Sequence, residues 1–240
     1  MDNIVAIVLS AGRGSRMNSD IPKQYMNLHE KPVIFYSLKA FEDSPVSSIV
    51  LVAGADDVEY CKKEIVDKYH LTKVRAVVAG GKERYESVKN GLDAAGSCDY
   101  IMIHDGARPL LSQELIARCI ETVKKENTCV AAVPVKDTIK TVDDFLYTKE
   151  TPERRSLWAM QTPQCFSFSI LKESYKKLLS DEKNRGGVPM ITDDAMVVEY
   201  APGKGVKLVE GDYHNIKITT PEDMLIAEAF MGPLTHSEKS

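Results

Sequence analysis

The chain has no cysteine pair spaced C-x-x-C, no apolar run approaching the roughly 20 residues of a membrane span, and no excess of positive charge. Each absence excludes a class. Five cysteines (Cys61, Cys98, Cys119, Cys129, Cys165) scattered through apparent strands and helices read as buried free thiols of a reducing cytoplasm, not as a disulfide framework. A formal net charge of -4, from 31 Lys+Arg against 35 Asp+Glu, argues against a general nucleic-acid surface, so any anion site has to be local. No H-E-x-x-H spacing occurs among the histidines, and neither a Cys-His nor a Ser-His pair stands at a nucleophile motif. Zinc and covalent catalysis are therefore not expected. Met1-Asp2-Asn3 leads straight into an apolar strand without a basic region or cleavage site, which predicts neither export nor membrane insertion.

What is present is a regular alternation. Apolar, β-branched runs at residues 4–9, 49–52, 74–78, 100–103 and 129–133 are separated by helix-like stretches near 33–42, 56–69, 83–94 and 112–126. Near-continuous apolar strands between amphipathic helices predict an α/β fold, a doubly wound and mainly parallel sheet covered on both faces. With 240 residues and no internal repeat, the chain reads as a single domain. After Pro134 the alternation breaks. Residues 137–142, 145–148 and 157 onward look like short polar strands, too hydrophilic for a central sheet, and roughly 136–160 reads as an extended arm. Beyond it the pattern predicts a helix near 169–180, a Gly-Gly-Val-Pro loop at 186–189, a helix opening at Thr192-Asp193-Asp194, strands at 206–209 and 215–218, and a last helix. Thr220-Pro221-Glu222-Asp223 supplies that helix with an N-cap, a first-turn proline and an acid at the third position. Residues after Gly232 read as a frayed tail.

In doubly wound sheets ligands sit at the carboxyl ends of strands, and the unusual polar segments of this chain follow strands. Ser10-Ala11-Gly12-Arg13-Gly14-Ser15-Arg16-Met17, with Pro22-Lys23-Gln24 close behind, joins small residues to mobile positive charge, as a polyphosphate cradle requires. It is not a Walker loop, because no Gly-Lys-Ser/Thr follows. It also fails G-x-G-x-x-G, because Met17 stands where a small residue belongs. Together with the lack of an acid at the end of the second strand, Val52-Ala53-Gly54, this disfavours a dinucleotide-dependent oxidoreductase. Lys23 directly after Pro22 sits on stiffened backbone, so its side chain is held in place.

His104-Asp105-Gly106-Ala107-Arg108-Pro109 closes another strand. Asp105 is suited to a Mg²⁺ ion; the plain alternative is that Asp105 and Arg108 pair with each other and cap the next helix. His104 is read as structural. Gly80-Gly81-Lys82-Glu83-Arg84-Tyr85-Glu86-Ser87 exposes main-chain groups before a helix, where a base could be read. Lys136, Thr138, Lys140, Arg154 and Arg155 make the arm polar and basic. Lys217 stands mid-strand between apolar neighbours, and Asp193 and Asp194 are explained by the helix dipole.

In order along the chain, Ser10-Ala11-Gly12-x-Gly14-x-Arg16-Met17, Pro22-Lys23-Gln24-Tyr25, Gly80-Gly81-x-x-Arg84-x-x-Ser87-Val88, His104-Asp105-Gly106-Ala107-Arg108-Pro109, Pro134-Val135-x-Asp137-Thr138-Ile139-Lys140, Gln161-Thr162-Pro163-Gln164, Thr192-Asp193-Asp194-Ala195 and Asn215-Ile216-Lys217-Ile218-Thr219 resemble the 2-C-methyl-D-erythritol 4-phosphate cytidylyltransferases. The likeness spans nearly the whole chain. It implies a soluble, cytoplasmic, Mg²⁺-dependent homodimer that joins CTP to methylerythritol phosphate with release of pyrophosphate, in non-mevalonate isoprenoid synthesis. Matched by position, Arg16, Lys23 and Lys217 would surround the reacting phosphorus as the catalytic cations. Ala11, Gly12, Gly80, Gly81, Ser87 and Asp105 would bind CTP, with Asp105 also near the metal. Arg108, Thr138 and Arg154 would hold methylerythritol phosphate, the last two reaching in from the neighbouring subunit's arm. A one-residue slip would exchange Arg154 for Arg155. Gly106 departs from an alanine common in the family, a change small enough to keep a backbone contact there. The nearest competing substrate is ribitol 5-phosphate; a non-catalytic nucleotide sensor is the third reading.

Overall fold

The structure is a computed structural model that describes residues 2–12, 21–185, 190–200 and 205–233, with backbone only for 183–185. Strand β1 (Ile4–Ser10) is followed by the short pair β2 (Asn27–Leu28) and β3 (Lys31–Pro32). Helix α1 (Val33–Glu42) starts directly after Pro32, whose fixed φ suits an N-terminal flank. Then come β4 (Ser48–Ala53), α2 (Val58–Tyr60) running on into a π-helical stretch Cys61–Asp67, and β5 (Val74–Ala79). Helix α3 (Arg84–Ala95) opens on a capping box between Glu83 and Glu86 and leads to β6 (Tyr100–Asp105). Helix α4 (Gln113–Glu126) is capped by Ser112 and stopped by Asn127 in the left-handed region, φ 64°, before β7 (Thr128–Pro134).

The arm follows, with a small ladder of β8 (Thr141–Val142) and β9 (Thr148–Glu150). The chain returns through β10 (Trp158–Ser167), α5 (Phe168–Arg185), α6 (Asp194–Glu199), β11 (Lys207–Glu210) and α7 (Pro221–Met231). The Gly-Gly-Val-Pro loop at 186–189 and most of the expected tail lie outside the described residues.

Seven strands form one sheet in the order β11-β7-β10-β6-β1-β4-β5. All neighbours run parallel except at β10, which is antiparallel to both β6 and β7. Alternation in β1 divides the core. Ile4, Ala6 and Val8 face a layer built from Ile34, Leu38 and Phe41 of α1 and Leu115 of α4. Val5 and Ile7 face Val88 and Leu92 of α3 with Leu171 and Tyr175 of α5. Since β1 and its neighbours are buried from both sides, nearly every residue in them is apolar, with roughly 1.5–3 kcal/mol gained for each large aliphatic side chain removed from water. From β1 the sheet is wound one way through β4 and β5 and the other way through β6. The crevice beyond the ends of β1 and β6 is thus the switch point where doubly wound sheets take ligands.

Two expectations are corrected here. The segment from 157 onward is not a set of polar arm strands: Trp158–Ser167 is one continuous strand at the heart of the sheet, buried from Gln161 to Phe166. Its polar side chains are hidden and hydrogen-bonded, and its register shifts between Met160 and Gln164, around Pro163, where a ladder N–H is missing. The arm therefore ends near residue 157. Second, residues 215–218 make no strand. The buried Asn215 donates its Nδ2 to the carbonyl of Thr162 (2.8 Å), and the Ile218 N–H donates to the carbonyl of Ala107 (2.8 Å). This segment is pinned to β10 and to the loop after β6 instead of joining a ladder.

Candidate active site

Beyond the ends of β1 and β6 lies a cleft of about 250 Å³ whose walls include Ala11, Gly12, Lys23, Ser87, Asp105 and Lys217. Its first wall is the start of the loop after β1. Gln24, itself buried, donates Nε2 to the carbonyls of Ser10 (2.8 Å) and Gly12 (3.1 Å), fixing how the loop leaves the strand. A one-turn 3-10 helix, Lys23–Tyr25, follows Pro22 and points Lys23 across the cleft, where Nζ donates to the carbonyl of Ile218 (2.7 Å). Arg16 lies outside the described residues.

The second wall is the glycine pair. A Cβ on Gly80 would lie 2.5 Å from the Cβ of Ala11 and 2.8 Å from Ser87 Oγ, so only glycine lets the end of β5 close against the first loop. Ser87 Oγ accepts from the Gly81 N–H (3.0 Å) and donates to the Glu83 carbonyl (3.2 Å), which ties the pair to the first turn of α3. An adjoining cavity bordered by Gly54, Gly80 and Gly81 continues from this wall.

The third wall carries the charge. Asp105 ends β6 with its side chain 13 % exposed, and Oδ2 lies 2.8 Å from Lys217 Nζ and 3.8 Å from Arg108 Nε, while Oδ1 lies 3.7 Å from Arg84. Burial opposes ionisation of Asp105, but Lys217, Arg84 and Arg108 outweigh it and hold the carboxyl well below the usual carboxylate range. Arg108 is drawn inward, donating from Nη1 to the carbonyl of Asn215 (2.7 Å), and burial lowers its pKa. The pairing of Asp105 with Arg108 read from the sequence is present, as one of three cationic contacts. His104 is fully buried, as its structural reading requires. Its Nδ1 faces the Thr162 hydroxyl (3.0 Å) and its Nε2 the Arg108 carbonyl (3.1 Å). The Thr162 oxygen also accepts the Asp105 N–H (3.1 Å), so the neutral ring with its proton on Nε2 satisfies all three groups.

Two features escaped the sequence reading. Arg84, the first residue of α3, projects into the cleft between two acids: 3.7 Å from Asp105 and 2.7 Å from Asp194. Its position inside Gly80-Gly81-x-x-Arg84 was the available signal. Asp194 does open α6, as the helix-dipole reading has it, but it is also wholly buried, with Oδ1 accepting the Tyr175 hydroxyl (2.7 Å). At Gly106 the packing leaves no room for an alanine. A Cβ there would stand 2.3 Å from Cδ1 of the buried Ile34 and 2.9 Å from the Leu9 carbonyl, although the Gly106 N–H does bond to that carbonyl (2.8 Å).

Thr138 and Arg154 are not brought into the cleft of their own chain. Both are exposed on the arm, where Arg154 donates to the Lys136 carbonyl (3.1 Å) and Arg155 pairs with Glu153 (2.6 Å). Among the described residues, the only group of three His, Cys, Asp or Glu ligand atoms close enough to share an ion is Cys119, Cys129 and Cys165, deep in the core. Two carboxylates line the cleft among the described residues; Glu83 caps the first turn of α3, so the one offered to a cation is Asp105, with the remaining positions left to a bound phosphate. That donor set fits Mg²⁺, which usually takes one or two carboxylates plus substrate phosphates.

A doubly wound sheet with small residues, lysines and a paired aspartate at its switch point defines a Rossmann-like nucleotidyltransferase. The family model of 2-C-methyl-D-erythritol 4-phosphate cytidylyltransferase matches residues 4–233, and the chain belongs to that family. Curated relatives of that name include one from Lachnospira eligens, 50% identical over 227 residues (94% of this chain, 98% of the relative). Another, from Lachnoclostridium phytofermentans, is 47% identical over 231 residues (96% and 97%). Among solved structures, the 4-diphosphocytidyl-2C-methyl-D-erythritol synthase of Anaerococcus prevotii superposes with a TM-score of 0.81 at 32% identity, covering 96% of both chains. The cytidylyltransferase of Thermus thermophilus gives 0.73 at 28% identity, covering 96% and 98%.

Proposed function

We propose that this chain transfers the cytidylyl group of CTP to 2-C-methyl-D-erythritol 4-phosphate, giving 4-diphosphocytidyl-2-C-methyl-D-erythritol and pyrophosphate for isoprenoid synthesis. The observation that carries the reading is family membership across residues 4–233, in a chain whose switch-point cleft is lined by Lys23, Lys217 and Asp105. The relatives cited bear this name and not that of a ribitol 5-phosphate enzyme.

The chemistry needs no protein nucleophile. A phosphomonoester oxygen is already ionised near neutral pH and attacks the α-phosphorus in line, and pyrophosphate departs. The obstacle is charge, because two polyanions must meet and the five-coordinate transition state must be stabilised. Lys23 and Lys217 meet that charge from fixed positions; with Arg16 they are the catalytic cations, each lowering the barrier by about 3 to 4 kcal/mol. Ala11, Gly12, Gly80, Gly81 and Ser87 bind the nucleotide, and Arg108 holds the acceptor phosphate. A divalent cation, Mg²⁺, supplies Lewis-acid neutralisation of the phosphates when bound. Asp105 is the residue that would hold it.

Thr138 and Arg154 complete the acceptor site of a second subunit in a homodimer formed through the arm. Support comes from the arm's tip, where Phe145, Leu146 and Tyr147 are 82%, 81% and 74% exposed, more apolar surface than a solvated hairpin needs. Five cysteines without a disulfide among them suit a reducing cytoplasm. No helix among the described residues is long and apolar enough to cross a membrane.

Steady-state assays with CTP and Mg²⁺ on methylerythritol phosphate and ribitol 5-phosphate test the substrate: activity is expected with the first, and a preference for the second overturns the reading. Lys23→Ala lowers kcat at least about tenfold; a near-normal rate removes Lys23 from the mechanism.

A further inference from the structure

Asp194 is a buried carboxylate that the transfer itself does not use, yet it stands one residue away from the reacting cleft. Its Oδ2 holds Arg84 Nη1 at 2.7 Å and its Oδ1 accepts the Tyr175 hydroxyl at 2.7 Å. It is the first residue of α6, so the helix N-terminus favours its negative charge. Gln164 Oε1 accepts the N–H groups of Asp194 (2.9 Å) and Ala195 (3.0 Å), which fixes that terminus to the centre of the sheet. Asp194 cannot move toward Arg84; Arg84 has to come to it. The outcome is an asymmetric bridge in which the guanidinium is in contact with Asp194 and a full ångström further, at 3.7 Å, from Asp105. The other acids near Arg84 are engaged: Glu83 and Glu86 are tied up in the capping box of α3.

We propose that Asp194 is a positioning residue that holds Arg84 off Asp105 Oδ1, the oxygen that Lys217 and Arg108 do not contact, keeping that oxygen open to the divalent cation of the nucleotide. This rests on the assignment of Asp105 to that cation. With Asp194 neutralised, the one carboxylate left within reach of Arg84 is Asp105, and the guanidinium closes onto it and competes with the metal.

The test is direct Mn²⁺ binding to the purified full-length protein, read by electron paramagnetic resonance with CTP present, alongside far-UV circular dichroism to verify folding. Asp194→Asn is expected to weaken Mn²⁺ binding about tenfold, the factor set by one added competing ion pair. Arg84→Gln/Asp194→Asn leaves neither the competitor nor a buried unpaired charge, and its Mn²⁺ affinity returns to within about threefold of the parent. A merely structural role predicts no such recovery. Asp105→Asn abolishes the CTP-dependent site. Should Asp194→Asn not fold, Tyr175→Phe removes only the hydroxyl that anchors Asp194 and is expected to weaken Mn²⁺ binding by about two- to threefold.

Unchanged affinity in a folded Asp194→Asn protein, or a double variant as weak as the single one, overturns the role of Asp194 while leaving Asp105 in place. Unchanged affinity in Tyr175→Phe does the same where it stands in for the single variant. Full Mn²⁺ binding by Asp105→Asn overturns the assignment of Asp105 and this inference with it.

Discussion

Acidification should destabilise this protein through one histidine, in a window set by that histidine's surroundings. Burial pushes the pKa of His104 down from its ordinary 6.5 to about 4, against the opposing pull of the hydrogen bond to the Arg108 carbonyl and of nearby Asp105. In the unfolded chain the ring regains its ordinary value and takes up a proton as pH falls through 6.5; in the folded protein it stays neutral until about 4. Between these values the unfolded state binds more protons, so stability is lost as pH falls. Above the window the contribution is constant, and below it both states are protonated and the loss stops growing. The full difference corresponds to about 3 kcal/mol, and about 2 kcal/mol of it is spent between pH 7 and 5. Asp105 contributes in a lower range: its carboxyl is depressed below its ordinary 3.8, so the stability it confers is present above that value and is lost only under more acid conditions.

Urea unfolding at pH 7 and 5, extrapolated linearly, measures this for the parent and for His104→Gln. The glutamine keeps a donor for the Arg108 carbonyl but cannot titrate. Its absolute stability falls, yet its loss between the two pH values should be smaller than the parent's by about 2 kcal/mol, since every other group contributes equally to both proteins. Equal losses would refute the reasoning, because they would mean that a ring buried against Thr162 and the Arg108 carbonyl is protonated as readily as an exposed one.

Other perturbations test the walls of the cleft and the arm. Gly80→Ala forces a Cβ to within 2.5 Å of Ala11 and should raise KM for CTP about tenfold or more while costing about 1–3 kcal/mol of stability; an unchanged KM would show that the glycine pair and first loop are not in register with the nucleotide. Gly106→Ala should also cost about 1–3 kcal/mol, and Ile34→Val should recover part of it by withdrawing the methyl that stands 2.3 Å from the new Cβ. Additive losses in thermal melts of the double variant would exclude Ile34 as the cause. Phe145→Ser with Leu146→Ser should give a monomer by light scattering, with chain stability nearly unchanged and activity on methylerythritol phosphate reduced. A fully active monomer would place Thr138 and Arg154 outside the acceptor site.

The parallel half of the sheet was legible because β1, β4 and β6, covered on both faces, are nearly all apolar; residues 4–9, 49–52 and 100–103 fall within them, and 74–78 falls within the edge strand β5, where the exposed Arg75 is the one polar interruption. Capping signals worked for the same local reason: Thr220 and Asp223 form their box within one turn. The failures involve partners far apart in sequence. Polarity in β10 indicated short arm strands outside the central sheet, although Gln161, Thr162 and Gln164 are buried. Apolar alternation at 215–218 indicated a strand where the Asn215 side chain bonds to Thr162 of β10 and the Ile218 N–H to the loop after β6, in place of a ladder. Lys217 nonetheless reaches Asp105, because what places it is the attachment of its segment and not its secondary structure. Arg84 was passed over because an arginine in a first helical turn reads as solvated until Asp194, distant along the chain, is seen beneath it.

That β10 should be polar and central follows from what it has to hold. Its neighbour β6 ends in a loop that must stand still against large phosphate charges, and an apolar strand offers such a loop no fixed bond. Thr162 instead takes the Asp105 N–H and His104, Gln164 takes the start of α6 beneath Arg84, and Gln161 donates to the Asp212 carbonyl (2.7 Å) just before Asn215 and Lys217. Each of these neutral bonds is worth only about 1 kcal/mol net, but leaving its buried partner unmatched costs about 1–3 kcal/mol, so any displacement of a loop is penalised more than its formation is rewarded. One antiparallel strand thereby connects the Asp105 loop, the Asp194 helix and the Lys217 segment to the same rigid sheet. Charges held in this way need no reorganisation as a transition state develops, and that preorganisation, more than the number of cations, is what the cleft contributes to phosphoryl chemistry.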